Sequence, residues 1–243
     1  MPILAPFESK GSFKPFMYDT LADLLRSQAV ADSAFSFARF FKPGHSDHFL
    51  GVKTAVLRKI AKDHHAKTEL SDLLKLMNSH IYEERALASH LLVTKYQKAA
   101  DLDKQKIVDF YLQNKEHIHD WSNVDNTAPY ILGPHLLNRD KKILYSLAES
   151  KRIWDRRIAI VATWWFIRNG EFDTTIAIAE KFLQDKEDLI QKATGWMLRE
   201  MGKKNQGLLE DFLEKHAKHM PRITLSYALE KFPKEKRALY QKR

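Results

Sequence analysis

Glu84-Arg85-Ala86-Leu87-Ala88 opens a run from Tyr82 to Tyr96 in which Ala86, Leu87, His90, Leu91 and Val93 lie on one side at helical spacing. A charged residue before small or apolar ones then recurs. It is found at Arg156-Arg157-Ile158-Ala159-Ile160, at Gln191-Lys192-Ala193-Thr194-Gly195 and at Pro221-Arg222-Ile223-Thr224-Leu225. Between these openings the text is short amphipathic helices joined by brief polar links. No segment alternates apolar and polar residues between hairpin turns, so strands are not expected. The chain reads as all-α.

The spacing of these openings fits a repeat of roughly 35–45 residues, the range of HEAT and armadillo repeats. One helix pair cannot bury its own apolar face. Pairs must stack, and the expected result is a HEAT-like solenoid with a concave basic face. Residues 1–17, with Pro2, Pro6, Gly11 and Pro15, read as an irregular arm. Residues 18–243 read as a single repeat domain. The breaker-rich run Lys42-Pro43-Gly44-His45-Ser46-Asp47-His48 reads as a loop. Continuous helices are expected over Leu70–Met77, Lys142–Ala148 and Trp154–Arg168, among others.

A chain of 243 residues is long enough for a sizeable core. Its 44% hydrophobic and 29% charged residues are ordinary for a globular protein. The absence of cysteine excludes disulfides and thiolate metal sites. No apolar run reaches membrane-span length, and Met1–Pro15 has no signal-peptide pattern. A cytoplasmic protein, monomeric and without membrane association, is expected. The net charge is +9, with a sequence pI of about 9.5. That surplus favours a polyanionic partner, most commonly nucleic acid. The histidines His45, His48, His64, His65, His117 and His119 do not converge on one helix face, so no metal is expected. No cofactor is expected either.

Trp121-Ser122-Asn123-Val124-Asp125 begins another amphipathic helix. Trp121 and Asp125 are four apart, hence one turn apart on one face. Val124, Ala128 and Ile131 or Leu132 fall on an adjoining core face. An indole beside a carboxylate suits a cation, since both attract positive charge. The alternative is a half-buried Trp121 and a solvated Asp125 at a helix N-terminus. The repeat register brings Arg85, Asp125, Arg157, Lys192 and Arg222 to equivalent positions, with Trp121 and Trp196 close by. Arg157 is either an ion-pair partner of an acid on a preceding helix or a phosphate clamp. Gly195 before Trp196 is costly in a helix, by about 1 kcal/mol, and close helix packing would explain it.

Phe40-Phe41-Lys42, Phe49-Leu50-Gly51-Val52, Trp121-Ser122-Asn123-Val124-Asp125, Trp154-Asp155-Arg156-Arg157, Gly195-Trp196-Met197-Leu198-Arg199 and Pro221-Arg222-Ile223 through Lys231 occur in this order. Together they resemble the HEAT-like DNA alkylation repair enzymes, the AlkD-like alkylpurine DNA glycosylases, from about Phe40 onward. The resemblance implies excision of N3- and N7-alkylated purines from double-stranded DNA in base excision repair, by backbone contacts and without full base flipping. It implies that Trp121, Asp125, Arg157 and Trp196 form the active-site cleft, and that Arg199 contacts the DNA backbone. Arg156, Lys192, Arg222 and Lys53 are further expected DNA contacts. Two features depart from relatives: the loop Pro43–His48 is short, and Trp164-Trp165 replaces smaller or basic residues where the cleft wall is expected. The competing class is a non-catalytic solenoid scaffold that binds structured nucleic acid or a protein.

Overall fold

The computed structural model describes residues 17–39 and 48–241. The irregular arm up to residue 16, Phe40 to Asp47 of the expected motif and loop, and the last two residues of the basic tail lie outside the described residues.

In chain order the α-helices are α1 (Met17–Ser27), α2 (Ala31–Ala38), α3 (Thr54–His64), α4 (Leu70–Met77), α5 (Tyr82–Lys98), α6 (Asp101–Gln113), α7 (Trp121–Leu136) and α8 (Lys142–Ala148). Then come α9 (Ile153–Ala162), α10 (Trp164–Arg168), α11 (Asp173–Lys181), α12 (Asp188–Lys204), α13 (Gln206–His216), α14 (Arg222–Ala228) and α15 (Lys234–Gln241). The only strand-like pairing among the described residues is an isolated bridge between His48 and Ile81. The fold is an all-α helical repeat, as the periodicity requires.

The helices form two layers. Along one, α3, α5, α7, α9, α12 and α14 pack side by side in sequence order. The other holds their partners, with α4 against α5, α8 against α9 and α13 against α12. Helices α5, α7, α9, α12 and α14 start at Tyr82, Trp121, Ile153, Asp188 and Arg222, at intervals inside or just below the expected period. One continuous apolar core runs between the layers from Leu21 to Tyr240.

Buried polar ties fix the stacking as well. Arg85, only 1% exposed, faces Asp120 at 3.7 Å and donates to the Ser79 carbonyl at 2.8 Å. Glu83 accepts from the backbone N–H groups of Leu50 and Gly51 at 2.9 and 2.7 Å. Gly51 has φ of +76°, and a side chain there would meet the backbone of Val30 and Ala34. Each buried charge therefore has a partner on another element, which is the condition for its tolerance.

One expected helix is broken. Trp154–Arg168 is not continuous: it is divided at Thr163 into α9 and α10. The Thr163 hydroxyl and backbone N–H both reach back to the Ile160 carbonyl, at 2.7 and 3.2 Å, which tightens the last turn of α9.

Candidate active site

The site starts from the way α7 is anchored. Asp120 caps the helix, accepting from the Asn123 backbone N–H at 2.8 Å and from the Asn123 amide at 2.7 Å. Ser122 pairs with the Tyr82 hydroxyl at 2.6 Å, and Thr127 with the Tyr111 hydroxyl at 3.1 Å. The inward face of α7 thus mixes apolar Val124, Ala128, Ile131 and Leu132 with a satisfied polar network. Such a network fixes rotation about the helix axis more tightly than apolar packing alone. Trp121 and Asp125 are left on the opposite side.

Both line a cleft of about 430 Å³. Arg157 of α9 closes its floor, Leu189, Lys192, Ala193, Trp196 and Arg199 of α12 form the next wall, and Tyr227 of α14 completes it. Helices that start at Trp121, Ile153, Asp188 and Arg222 therefore meet in one place. Gly195 allows the last approach. A Cβ on it would lie 2.5 Å from the Thr224 carbonyl oxygen and 2.5 Å from the Tyr227 Cβ. Close packing of α12 on α14 accounts for the glycine, and it sets Tyr227 beside the Trp196 turn.

Asp125 and Arg157 meet in a two-point contact, Nε to Oδ1 at 2.9 Å and Nη2 to Oδ2 at 2.8 Å. The third guanidinium nitrogen donates to the Leu189 carbonyl at 2.6 Å. Arg157 is thereby the ion-pair partner of an acid on a preceding helix. Side-chain exposure is 6% for Arg157 and 18% for Asp125, so the carboxylate keeps the open side of the pair. Burial pushes the Asp125 carboxyl above its ordinary range, while the charge and hydrogen bonds of Arg157 pull it down. A carboxylate has about four acceptor positions, and the guanidinium takes two of them.

The remaining expected contacts divide into three kinds. Lys192 and Arg199 line the cleft, but each is paired: Lys192 with Asp188 at 3.0 Å, Arg199 with Glu230 and, at 3.4 Å, with Glu200. Arg156 turns away from the cleft, donating to Asp185 at 2.8 Å and to the Ser150 and Lys151 carbonyls at 3.0 Å. Its donors hold a loop instead of facing the cleft. Arg222 and Lys53 are exposed and carry no ion pair among the described residues. Neither lines the cleft; Arg222 borders a separate cavity with Lys218 and Ser226.

Tyr227 was not anticipated as a cleft residue, although it lies in the Pro221–Lys231 run. The tryptophan pair also differs from expectation. Trp164 meets Tyr130 edge-on at 5.6 Å under the Arg168 guanidinium, and the Trp165 Cβ sits against Gly133. Neither lines the cleft. Among the described residues, no group of three or more His, Cys, Asp or Glu gathers in a metal-holding arrangement, and no helix is long and apolar enough to cross a membrane.

A stack of helix pairs that gathers a carboxylate, an arginine and two tryptophans from distant segments defines a helical-repeat protein with one composite cleft. The chain belongs to the DNA alkylation repair enzyme family, whose model matches residues 21–232. DNA alkylation repair is the process this membership indicates, with DNA as the implied partner. Among solved structures, the fold is similar to that of a predicted DNA alkylation repair enzyme from Enterococcus faecalis, with a TM-score of 0.66 and 17% identity over 85% of this chain and 98% of that one. No curated protein matches the chain.

Proposed function

We infer that the protein is a DNA glycosylase that hydrolyses the N-glycosidic bond of N3- and N7-alkylated purines in duplex DNA. The observation that carries this reading is the Asp125 carboxylate, held on its open side in a cleft flanked by Trp121 and Trp196. Family membership supports alkylated DNA as the substrate, and the choice of N3- and N7-alkylated purines is part of the proposal.

An alkylated purine of this type is cationic and leaves without strong acid catalysis. As the C1′–N bond stretches, its electron pair moves to the purine and positive charge develops on the deoxyribose. Asp125 stabilises that charge through space. A water oxygen then bonds to C1′, and its proton passes to the carboxylate or to solvent. The tryptophan faces add cation–π attraction of roughly 0.5–2 kcal/mol each when desolvated. A single preorganised electrostatic group contributes about 3–4 kcal/mol. Arg157 is a positioning residue in this scheme: it orients the carboxylate and keeps it ionised against burial. Duplex DNA lies across the row formed by α3, α5, α7, α9, α12 and α14, with Arg222 and Lys53, which carry no ion pair among the described residues, as cations for its phosphates, and the lesion stays largely within the duplex.

One observation favours the scaffold alternative: both Asp125 oxygens already accept from Arg157, as in a purely structural pair. A glycosylase assay on duplex DNA containing 7-methylguanine separates the two. Release of the free base supports the enzyme. Tight duplex binding without release supports the scaffold.

A further inference from the structure

The cations that line the cleft are all answered by acids. Arg157 faces Asp125, Lys192 faces Asp188, and Arg199 faces Glu230 and Glu200. Three cations against four carboxylates leave these pairs without a positive surplus. That suits a sugar on which positive charge develops, because an unpaired cation nearby would oppose it. It does not suit the phosphates on either side of that sugar, which must approach the same carboxylates. An uncharged donor resolves the conflict. It attracts an ionised phosphate oxygen and adds no positive charge near C1′.

Tyr227 of α14 is placed to be that donor, on the cleft wall contributed by the last of the helices that meet there. Its neighbours Thr224, Leu225, Ala228 and Leu229 are buried and pack the helix, whereas Tyr227 is 37% exposed. Two contacts between α12 and α14 fix its backbone. One is the bare face of Gly195, where a Cβ would lie 2.5 Å from the Tyr227 Cβ. The other, one turn further on, is the Arg199–Glu230 ion pair. The phenol oxygen has no hydrogen bond among the described residues, so its proton is available to a ligand.

We propose that Tyr227 is a substrate-positioning residue: its hydroxyl donates to a non-bridging oxygen of a phosphate flanking the alkylated nucleotide and holds the deoxyribose over Asp125. The inference rests on the glycosylase reading and adds to it a contact at the lesion. The bases stay stacked, since only the backbone is held.

The test follows base release from duplex DNA containing 7-methylguanine, in single turnover with the intact protein below saturation, so that the rate reports binding and chemistry together. Two changes are crossed. Tyr227→Phe removes the hydroxyl and keeps the ring. A methylphosphonate, placed in turn at each linkage flanking the lesion, replaces one non-bridging oxygen by methyl. Tyr227→Phe slows release of the unmodified substrate roughly tenfold, the scale of one hydrogen bond to a charged group. At one linkage the variant causes no further loss once the methylphosphonate is present, the coupling expected of two groups in direct contact. A Phe variant as fast as the wild type overturns the contact while the glycosylase stands. So does a loss that persists at every modified linkage, which is what a purely structural role of the hydroxyl would give. A wild type that releases no base from the unmodified duplex overturns the glycosylase reading, and this inference with it.

Discussion

Arg157 grips Asp125 with two parallel hydrogen bonds of 2.9 and 2.8 Å across the α7–α9 contact, and its remaining nitrogen holds the Leu189 carbonyl at the start of α12. One side chain therefore links three successive helices of one layer, α7, α9 and α12. It also sets the orientation of the cleft carboxylate.

Arg157→Leu is expected to cost about 3 kcal/mol of stability, the low end for breaking a buried pair because Asp125 retains 18% exposure. Urea unfolding measures this. The salt dependence of duplex binding should be unchanged, because the guanidinium is only 6% exposed and engaged by Asp125 and the Leu189 carbonyl. A salt slope reduced by about one would return Arg157 to the phosphate-clamp role.

Gly195→Ala should destabilise the protein by about 1–3 kcal/mol, although alanine is the better helix former by about 1 kcal/mol. The new methyl would lie 2.5 Å from Thr224 backbone and from Tyr227, so α12 and α14 must separate. Thermal unfolding checks the sign. A stabilised variant would show that the helix contact is looser than described.

Arg222 and Lys53 carry no ion pair among the described residues, whereas Arg156 is engaged within the fold. Arg222→Ala and Lys53→Ala should each lower the slope of log affinity against log salt by about 0.9, the counterion release of one phosphate contact. Arg156→Ala should instead lower stability with little change in slope. The reverse pattern in a salt titration would contradict this division.

The division could not have been read from the sequence, and the reason is geometric. Arg156 and Arg157 are adjacent and chemically identical, but one residue turns a helix by about 100° and gives them different neighbours. Their partners Asp185 and Asp125 lie some thirty residues away in opposite directions along the chain. Local features were far more legible. Leu70–Met77 and Lys142–Ala148 are helices with the expected bounds, because their apolar spacing is set within the segment itself. The break at Thr163 was hidden, since a threonine inside an apolar run gives only a weak signal. Trp121 and Asp125 share a face because that requires one helical turn alone. Tyr227 needed the α12–α14 approach, which depends on tertiary packing.

The pH dependence of the reaction carries a definite sign. Burial raises the Asp125 carboxyl above the ordinary 3.8, with Arg157 opposing. The folded protein thus takes up this proton at higher pH than the unfolded chain does. Above the folded value, the ionised carboxylate lowers stability; as pH falls through that value toward 3.8, this contribution turns favourable while activity is lost. The single-turnover rate should show an acid limb with its midpoint above 3.8, and Arg157→Leu should move it further up. A limb at or below 3.8 contradicts the assignment.

Asp125→Asn on duplex DNA containing 7-methylguanine, followed under single-turnover conditions, is the most direct test. The amide keeps the shape of the side chain but cannot stabilise a cationic sugar. Loss of about 3 kcal/mol slows base release roughly a hundredfold, with duplex Kd nearly unchanged, because the interaction is made in the transition state. Release at the wild-type rate would contradict a catalytic role for Asp125.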